Sequence, residues 1–338
     1  MLKSVSILVC FYNAEYRLPK TIQHIQNLDI SGLNGIEVLF IDNNSTDNSQ
    51  TVIHTMFKGF TKFPYNIYFE SKPGVTQARL RGIHEARYNY IVFCDDDNSL
   101  FSDYIQKSLP IFEIDHSIAA VGGCGIAKSS IQIPEWFEKL QNFYGVGPQM
   151  PVSGYVSGIR NVIYGAGMVL KKAAFLHIEK NGFEFYSVSR VANSFGSGED
   201  GELCLALKIA GYTIWYNSEM QFYHEISSNR LTKKYKNKLQ FGIATSGYVT
   251  RFYRDYIFGY KPKITRYFWF KEFVYSIKDL LKGFFVNSTK LGLRRNFHFS
   301  IYLLRERGKY NKNVAKVIEI CENLSKNVIE DMSNQVIK

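Results

Sequence analysis

No window of this 338-residue chain reaches the roughly 18 uninterrupted apolar residues that a membrane-spanning helix needs. Nor do the five cysteines form a CxxC pair; they stand apart at 10, 94, 124, 204 and 321, suggesting neither a disulfide framework nor a zinc site. Cys10, Cys94 and Cys204 lie inside apolar stretches and read as small buried hydrophobes. No G-x-G-x-x-G follows the first apolar run, which disfavours a dinucleotide-binding oxidoreductase. No repeat or low-complexity segment is present. Met1 is followed by one Lys and then directly by Ser4-Val5-Ser6-Ile7-Leu8-Val9, without a small-residue cleavage site. That pattern reads as a first β-strand and not as a signal peptide, so a cytoplasmic location is expected. Acidic residues are scarce in one region: Arg230 to Lys312 holds 20 Lys or Arg against 4 Asp or Glu. The net charge of +11 therefore belongs to that region, since the remainder carries 21 basic and 26 acidic residues.

What is present suits a globular protein. Hydrophobic residues make up 46% of the chain, and 23 Tyr and 26 Phe must fill a core or cover a surface. Over the first 225 or so residues, short β-rich runs at 5–10, 37–41, 67–70, 90–94 and 119–122 alternate with helical patterns at 18–28, 46–57, 75–86 and 199–210. This alternation predicts an α/β domain with a mostly parallel sheet covered on both faces. The domains expected are 1–228, a basic and aromatic helical region at 229–312, and a polar helical tail at 313–338. Ligands of such sheets bind at the carboxyl ends of the strands, so the polar residues there are the candidates.

The sharpest of these is Cys94-Asp95-Asp96-Asp97-Asn98, at the end of an apolar strand. Three consecutive carboxylates repel one another, and a hard divalent cation is expected to hold them together. A solvated acidic turn is the alternative. A second strand end reads Ile41-Asp42-Asn43-Asn44-Ser45-Thr46, where Asp42 could accept a base N–H and Ser45 or Thr46 could cap the next helix. The first strand ends in Phe11-Tyr12-Asn13, where an aromatic could lie against a base. Gly74 permits a tight turn into a helix whose N-terminus and Arg79 could face phosphate. In Ser197-Gly198-Glu199-Asp200, Ser197 and Asp200 resemble a capping box, while Asp200 could equally serve as a general base. His224 ends a strand-like segment at the mouth of the same sheet, as a ligand or as a structural histidine.

Taken in this order, the segments 5–15, 38–49, 74–82, 90–98, 165–170, 198–207 and 211–224 resemble the family 2 inverting glycosyltransferases with the GT-A fold. The resemblance covers nearly the whole first 225 residues. It implies that Asp42 reads a uracil-type base, with Phe11, Asn13 and Arg79 also on the donor nucleotide. Asp95 would lie near the ribose or metal, with Asp96 beside it. Asp97 would bind the Mn²⁺ or Mg²⁺ that bridges the diphosphate, with His224 as a further ligand. Asp200 would deprotonate the acceptor hydroxyl, with Glu199 next to the acceptor. Cys10 stands where the family commonly has Pro, and Leu80 where Asn often follows the Arg. The implied reaction is single-displacement transfer from a nucleotide-diphosphate sugar to a hydroxyl of a polysaccharide or lipid-linked glycan, with 154–167 implied as part of the acceptor wall.

Lys261-Pro262-Lys263-Ile264-Thr265-Arg266-Tyr267-Phe268-Trp269-Phe270-Lys271 interleaves cations with aromatics, and Leu280, Leu281, Phe284 and Phe285 fit one helix face near Lys278 and Lys282. Such helices suit an anionic membrane surface, so peripheral attachment to the inner face of the cytoplasmic membrane is expected. A metal-dependent nucleic-acid enzyme leaves Asp42 and Glu199-Asp200 without a shared explanation, and nucleic acid is not an expected partner. A non-catalytic membrane-binding protein leaves the Asp triplet unexplained.

Overall fold

The computed structural model describes residues 3–158, 162–187, 198–285 and 290–336. The chain starts with β1 (Lys3–Phe11), α1 (Leu18–Gln26), β2 (Leu33–Asp42), α2 (Ser49–Phe57), β3 (Tyr65–Phe69), α3 (Val75–Glu85) and β4 (Tyr90–Asp95). There follow β5 (Asn98–Leu100), α4 (Tyr104–Ser108), α5 (Ile111–Ile114), β6 (Ile118–Lys128), β7 (Gly154–Tyr155), β8 (Val169–Lys171), α6 (Lys172–Lys180), α7 (Glu199–Ile209) and β9 (Thr213–Glu225). Helices α8 (Lys233–Ile257), α9 (Phe268–Phe285), α10 (Lys290–Arg305) and α11 (Arg307–Val336) complete it.

The strands form one nine-stranded sheet of order β3-β2-β1-β4-β8-β6-β9-β5, with β7 added on β9. Strands β3, β2, β1 and β4 run parallel, β8 is antiparallel to β4 and β6, and β5 is antiparallel to β9. The expectation of a mostly parallel sheet flanked by helices is met. Strand β1 is buried because it lies centrally: Val5, Ile7 and Val9 have no exposed surface and Phe11 only 2%. Helix α1 turns Leu18, Ile22 and Ile25 onto this core at helical spacing, with Pro19 in its first turn. From β1 the chain winds first to β2 and β3 on one side, then to β4 on the other. The carboxyl ends of β1 and β4 thus form a switch point, where Cys10 is paired with Asp95.

Two compact units result. One comprises residues 1–177 and 211–232; the other comprises 178–210 and 233–338. Residues 178–210, grouped with the sheet in the sequence reading, thus cluster with the C-terminal helices. The buried carboxylate of Glu202 on α7 explains part of this. It accepts hydrogen bonds from the Tyr186 and Ser187 amides at 3.0 and 2.8 Å and from Tyr253 Oη on α8 at 3.2 Å. In the same unit Phe268 stacks on Tyr310 at 6.1 Å, and Arg251 Nη1 donates to the buried Glu272 at 2.5 Å.

Helix α9 buries Phe268, Glu272 and Ser276, one turn apart. On its expected apolar face Leu281 is 53% exposed, and the side chains of Phe284 and Phe285 lie outside the described residues. No helix among the described residues is long and apolar enough to cross a membrane.

Candidate active site

Three loops at the carboxyl end of the parallel strands are laced together by asparagines and short polar residues. Asn13 and Asn44, just beyond β1 and β2, adopt φ of 46° and 69°, a conformation that asparagine tolerates better than most residues. The Asn13 amide donates to Ser45 Oγ at 3.0 Å, and its Oδ1 accepts from the Thr46 amide at 2.8 Å. Ala14 and Glu15 donate to Ser49 Oγ and Asp47 Oδ2. From the next position, Asn43 Nδ2 donates to the carbonyls of Glu70 and Lys72, and its Oδ1 accepts from the Gly74 amide at 2.7 Å. Gly74, at φ 123°, makes the expected tight turn into α3.

Three sequence expectations are corrected here. Phe11 does not face a ligand: strand alternation from Val5 turns it into the core, and Tyr12 is the aromatic left 54% exposed. Ser45 and Thr46 do not cap α2, which starts at Ser49. Asp47 accepts from the Ser49 amide at 3.1 Å instead, while Ser45 and Thr46 are used in the Asn13 lacing. The N-cap position of α7 is Gly198, at φ 138°, so Asp200 is not three residues past the cap; Ser197 lies outside the described residues. Arg79, expected to face phosphate, is 9% exposed, lies 5.1 Å over the Phe93 ring and donates to Asp95 Oδ1 at 3.1 Å, which sets it beside the acidic turn.

Asp42 is 2% exposed, and both of its oxygens are engaged. Oδ1 accepts from the Ser45 amide at 2.7 Å and Oδ2 from Gln50 Nε2 at 2.5 Å. Its immediate effect is to shape the loop that faces Asn13.

The acidic turn Asp95-Asp96-Asp97 is held between β4 and β5. Antiparallel pairing sets Asn98 opposite His224, and the Asp97 carbonyl accepts from the Glu225 amide at 2.9 Å. His224, 5% exposed, lies on the buried side of the alternating strand β9, so this pairing carries its ring to the turn. Its Nε2 is 3.4 Å from Asp97 Oδ1.

The three carboxylates do not share one counter-ion. Asp95 meets Arg79, as above. Asp96 takes both Arg17 Nε at 3.1 Å and Nη2 at 2.7 Å, a two-pronged contact. Asp97 Oδ2 accepts from Arg230 Nη1 at 3.0 Å. Burial pushes the Asp96 carboxyl up to about 6, with Arg17 pulling the other way. Burial acts likewise on Asp97, but His224 and Arg230 overcome it and hold that carboxyl below its usual value. Burial also pushes the neighbouring Cys10 thiol up to about 12, which leaves no thiolate nucleophile there at neutral pH.

Arg17 and Arg230 are absent from the sequence-level candidates. The only signal for Arg17 was a cation in the first loop past a strand end, and Arg230 was visible only as one of many charges.

A divalent cation was expected among these carboxylates. Among the described residues no three His, Cys, Asp or Glu side chains converge as ligands. Asp97 and His224 do make a pair of suitable chemistry. Ligand atoms bound side by side on an octahedral Mg²⁺ or Mn²⁺ lie about 3 Å apart, close to the 3.4 Å between Asp97 Oδ1 and His224 Nε2. Two protein ligands are enough for a cation that also takes substrate phosphate oxygens. Glu199 and Asp200 open α7 in the second unit, Glu199 buried and Asp200 half-buried.

Comparisons with known proteins agree with the motif resemblance. Residues 6–160 match the family model described as Glycosyl transferase family 2. A Campylobacter jejuni GalNAc(5)-diNAcBac-PP-undecaprenol beta-1,3-glucosyltransferase is 30% identical over 98 residues. That stretch is 29% of this chain and 31% of the relative, so under a third of the relative's length is spanned. Among solved structures, S. aureus TarS 1-349 in complex with UDP-GlcNAc superposes with a TM-score of 0.53 at 11% identity, over 90% of this chain and 92% of that one. The mannosyltransferase PcManGT from Pyrobaculum calidifontis, in complex with GDP-Man and Mn²⁺, gives 0.50 at 12% identity, over 95% and 86%. At such identities these two establish the fold, which is the GT-A arrangement expected.

Proposed function

Starting from glycosyltransferase family 2 as the family matched by residues 6–160, we propose that the chain transfers a sugar from a nucleotide-diphosphate donor to an acceptor hydroxyl with inversion. The observation that carries this reading is the Asp97–His224 pair at the switch point of the sheet, set beside an acidic turn flanked by three arginines.

The nucleotide is assigned to the laced loops. Tyr12 offers an exposed ring for a base, one residue beyond the Phe11–Asp42 pairing. Each carboxylate oxygen can accept two hydrogen bonds, so Asp42 retains capacity for a base N–H. Asn13 holds the loop in place, and Asp95 and Asp96 are assigned to the ribose side. Asp97 and His224 would hold the divalent cation, whose positive charge stabilises the leaving diphosphate. Arginine at the turn supplies further charge to those oxygens. A hydroxyl is a poor nucleophile at neutral pH, and Asp200 is assigned as the carboxylate that takes its proton, a step typically worth about 10²–10⁴-fold. One base and no covalent intermediate correspond to inversion. UDP-sugars are the preferred donor class, following the base-reading role that the family resemblance gives Asp42.

The acceptor is proposed to be a glycan end, most simply a lipid-linked one. The Campylobacter relative is named for a PP-undecaprenol-linked acceptor, and the C-terminal helices carry an exposed apolar and cationic face suited to an anionic membrane. On α9 that face comprises Phe270, Lys271, Tyr275, Lys278, Leu281 and Lys282.

Calorimetric titration of UDP, GDP, CMP and dTDP, with and without Mn²⁺, tests the donor assignment. Selective binding that requires Mn²⁺ and is lost in Asp97→Asn is expected. Nucleotide binding that ignores both the metal and the substitution would remove Asp97 from the donor site.

A further inference from the structure

Arg230 contacts the same two side chains that are assigned to the cation. Its Nη1 lies 3.0 Å from Asp97 Oδ2 and 3.3 Å from His224 Nε2. Arginine has N–H donors and no lone pair, so the second contact is a hydrogen bond only when Nε2 offers its own lone pair. A metal requires that same tautomer. Without a cation, the other tautomer lets Nε2–H donate to Asp97 Oδ1 at 3.4 Å, so the Arg230 contact does not by itself fix the ring proton; Nδ1 is buried without a hydrogen-bond partner in either case. The imidazole is therefore used from one side only, and that side faces Arg230 and Asp97. The site is enclosed: the side chains of His224, Asp97 and Arg230 are 6%, 15% and 16% exposed.

Arg230 is anchored at its backbone and extended at its tip. It belongs to a short 3-10 turn, Ser228–Leu231, and its carbonyl accepts from Tyr144 Oη at 3.0 Å. The guanidinium then lies near the Tyr144 ring, at 5.9 Å from its centroid. The long side chain can change partner without moving the turn.

We propose that Arg230 is the resident counter-ion of the Asp97–His224 pair, and that it gives up the pair to a divalent cation only when a diphosphate arrives to receive its guanidinium. The proposal rests on the donor-site reading above. The partners exchange as a set. The cation takes the carboxylate and the imidazole lone pair, and the guanidinium turns to phosphate oxygens, which its forked N–H groups match well. Metal alone would leave a guanidinium displaced from its carboxylate within an enclosed site. Nucleotide alone would bring a diphosphate against a turn of three carboxylates. Each ligand therefore removes the penalty of the other, and the two bind as a couple. By linkage, the factor by which UDP tightens Mn²⁺ is the factor by which Mn²⁺ tightens UDP.

The test is binding of Mn²⁺ to the full chain, followed by loss of the free-ion electron paramagnetic resonance signal, with and without UDP or GDP. Wild type should bind Mn²⁺ alone at least about tenfold more weakly than with the nucleotide, a coupling of ordinary size. Arg230→Gln should move the two measurements in opposite directions: Mn²⁺ alone tighter by about tenfold, and the nucleotide enhancement reduced. Misfolding would weaken both, so the opposite signs distinguish the proposal from damage. Arg230→Lys, which keeps a charge beside Asp97, should bind Mn²⁺ alone as weakly as wild type. Arg230→Lys behaving like Arg230→Gln would overturn the competition between charges. Nucleotide-dependent Mn²⁺ binding that Arg230→Gln leaves unchanged would remove this proposal alone. Absence of Mn²⁺ binding to wild type with either nucleotide would remove the donor-site reading and this proposal with it.

Discussion

Asp95, Asp96 and Asp97 are consecutive, yet each carboxylate meets a different arginine, from positions 16, 79 and 133 residues away. The repulsion within the triplet is legible in one dimension; the charges that relieve it are not, because chain topology brings them together. That is why a cation looked like the necessary remedy. Phe11 and Tyr12 show the reverse case. Alternation from Val5 places Phe11 with Ile7 and Val9 in the core, while Tyr12 is exposed because it lies just past the end of β1. At the same scale, Glu202 allows a check of the C-terminal unit. Burial raises its carboxyl above the ordinary value, with the Tyr186 and Ser187 amides and Tyr253 pulling it down. A raised native value means that the folded chain keeps the proton over a pH range where the unfolded chain has lost it, so this group's contribution to stability falls as pH rises above about 4.3. The melting temperature of Glu202→Gln relative to wild type should therefore rise between about pH 4 and pH 7. A difference that stays flat or falls with pH would contradict a raised Glu202.

Among the elements, β1, β2 and β4 were legible because they are buried on both faces and read as apolar runs, whereas β3 at the edge has no buried residue. Strand β5 was not legible, since Asn98–Leu100 is three residues long and is defined by its partner β9. Yet β5 is what docks His224 against Asp97. Close packing between α3 and β1 also left little trace in the sequence beyond one glycine. A Cβ built at Gly82 would stand 2.0 Å from Leu8 Cδ1 and 2.9 Å from its Cγ. Alanine ordinarily favours a helix over glycine by about 1 kcal/mol, but overpacking of a core typically costs about 1–3 kcal/mol. Gly82→Ala should lower the denaturant midpoint with an unchanged slope. An unchanged or higher midpoint would mean that Leu8 can move aside and that α3 is less tightly set than described.

At the scale of the whole molecule, the grouping of residues 178–210 with the C-terminal helices was not legible. The sequence shows α7 as one more helix in an alternating series, and its carboxylate's partner Tyr253 lies 51 residues further on. The concentration of charge was legible, and so was the interleaving of aromatics. Of the large hydrophobic side chains exposed among the described residues, Ile257, Phe258, Tyr260, Tyr267, Phe270, Tyr275 and Leu281 fall within one short segment of that region. Flotation with anionic vesicles, and little with neutral ones, is expected. Reversing Lys271, Lys278 and Lys282 to Glu should weaken that binding by at least about a hundredfold, at about 1 kcal/mol for each cation near such a surface. Equal flotation with neutral vesicles, or indifference to the reversal, would assign the cations to solvent.

Sugar transfer is tested most directly by release of nucleoside diphosphate from a panel of UDP-, GDP- and dTDP-sugars, with Mn²⁺ and with chelator. Each donor would be offered to wild type and to Asp200→Asn, with donor binding measured in parallel. Release is expected from one nucleotide class, abolished by chelator, and abolished in Asp200→Asn while that variant still binds the donor. Release by Asp200→Asn at the wild-type rate, or no release from any donor, would contradict the proposed reaction.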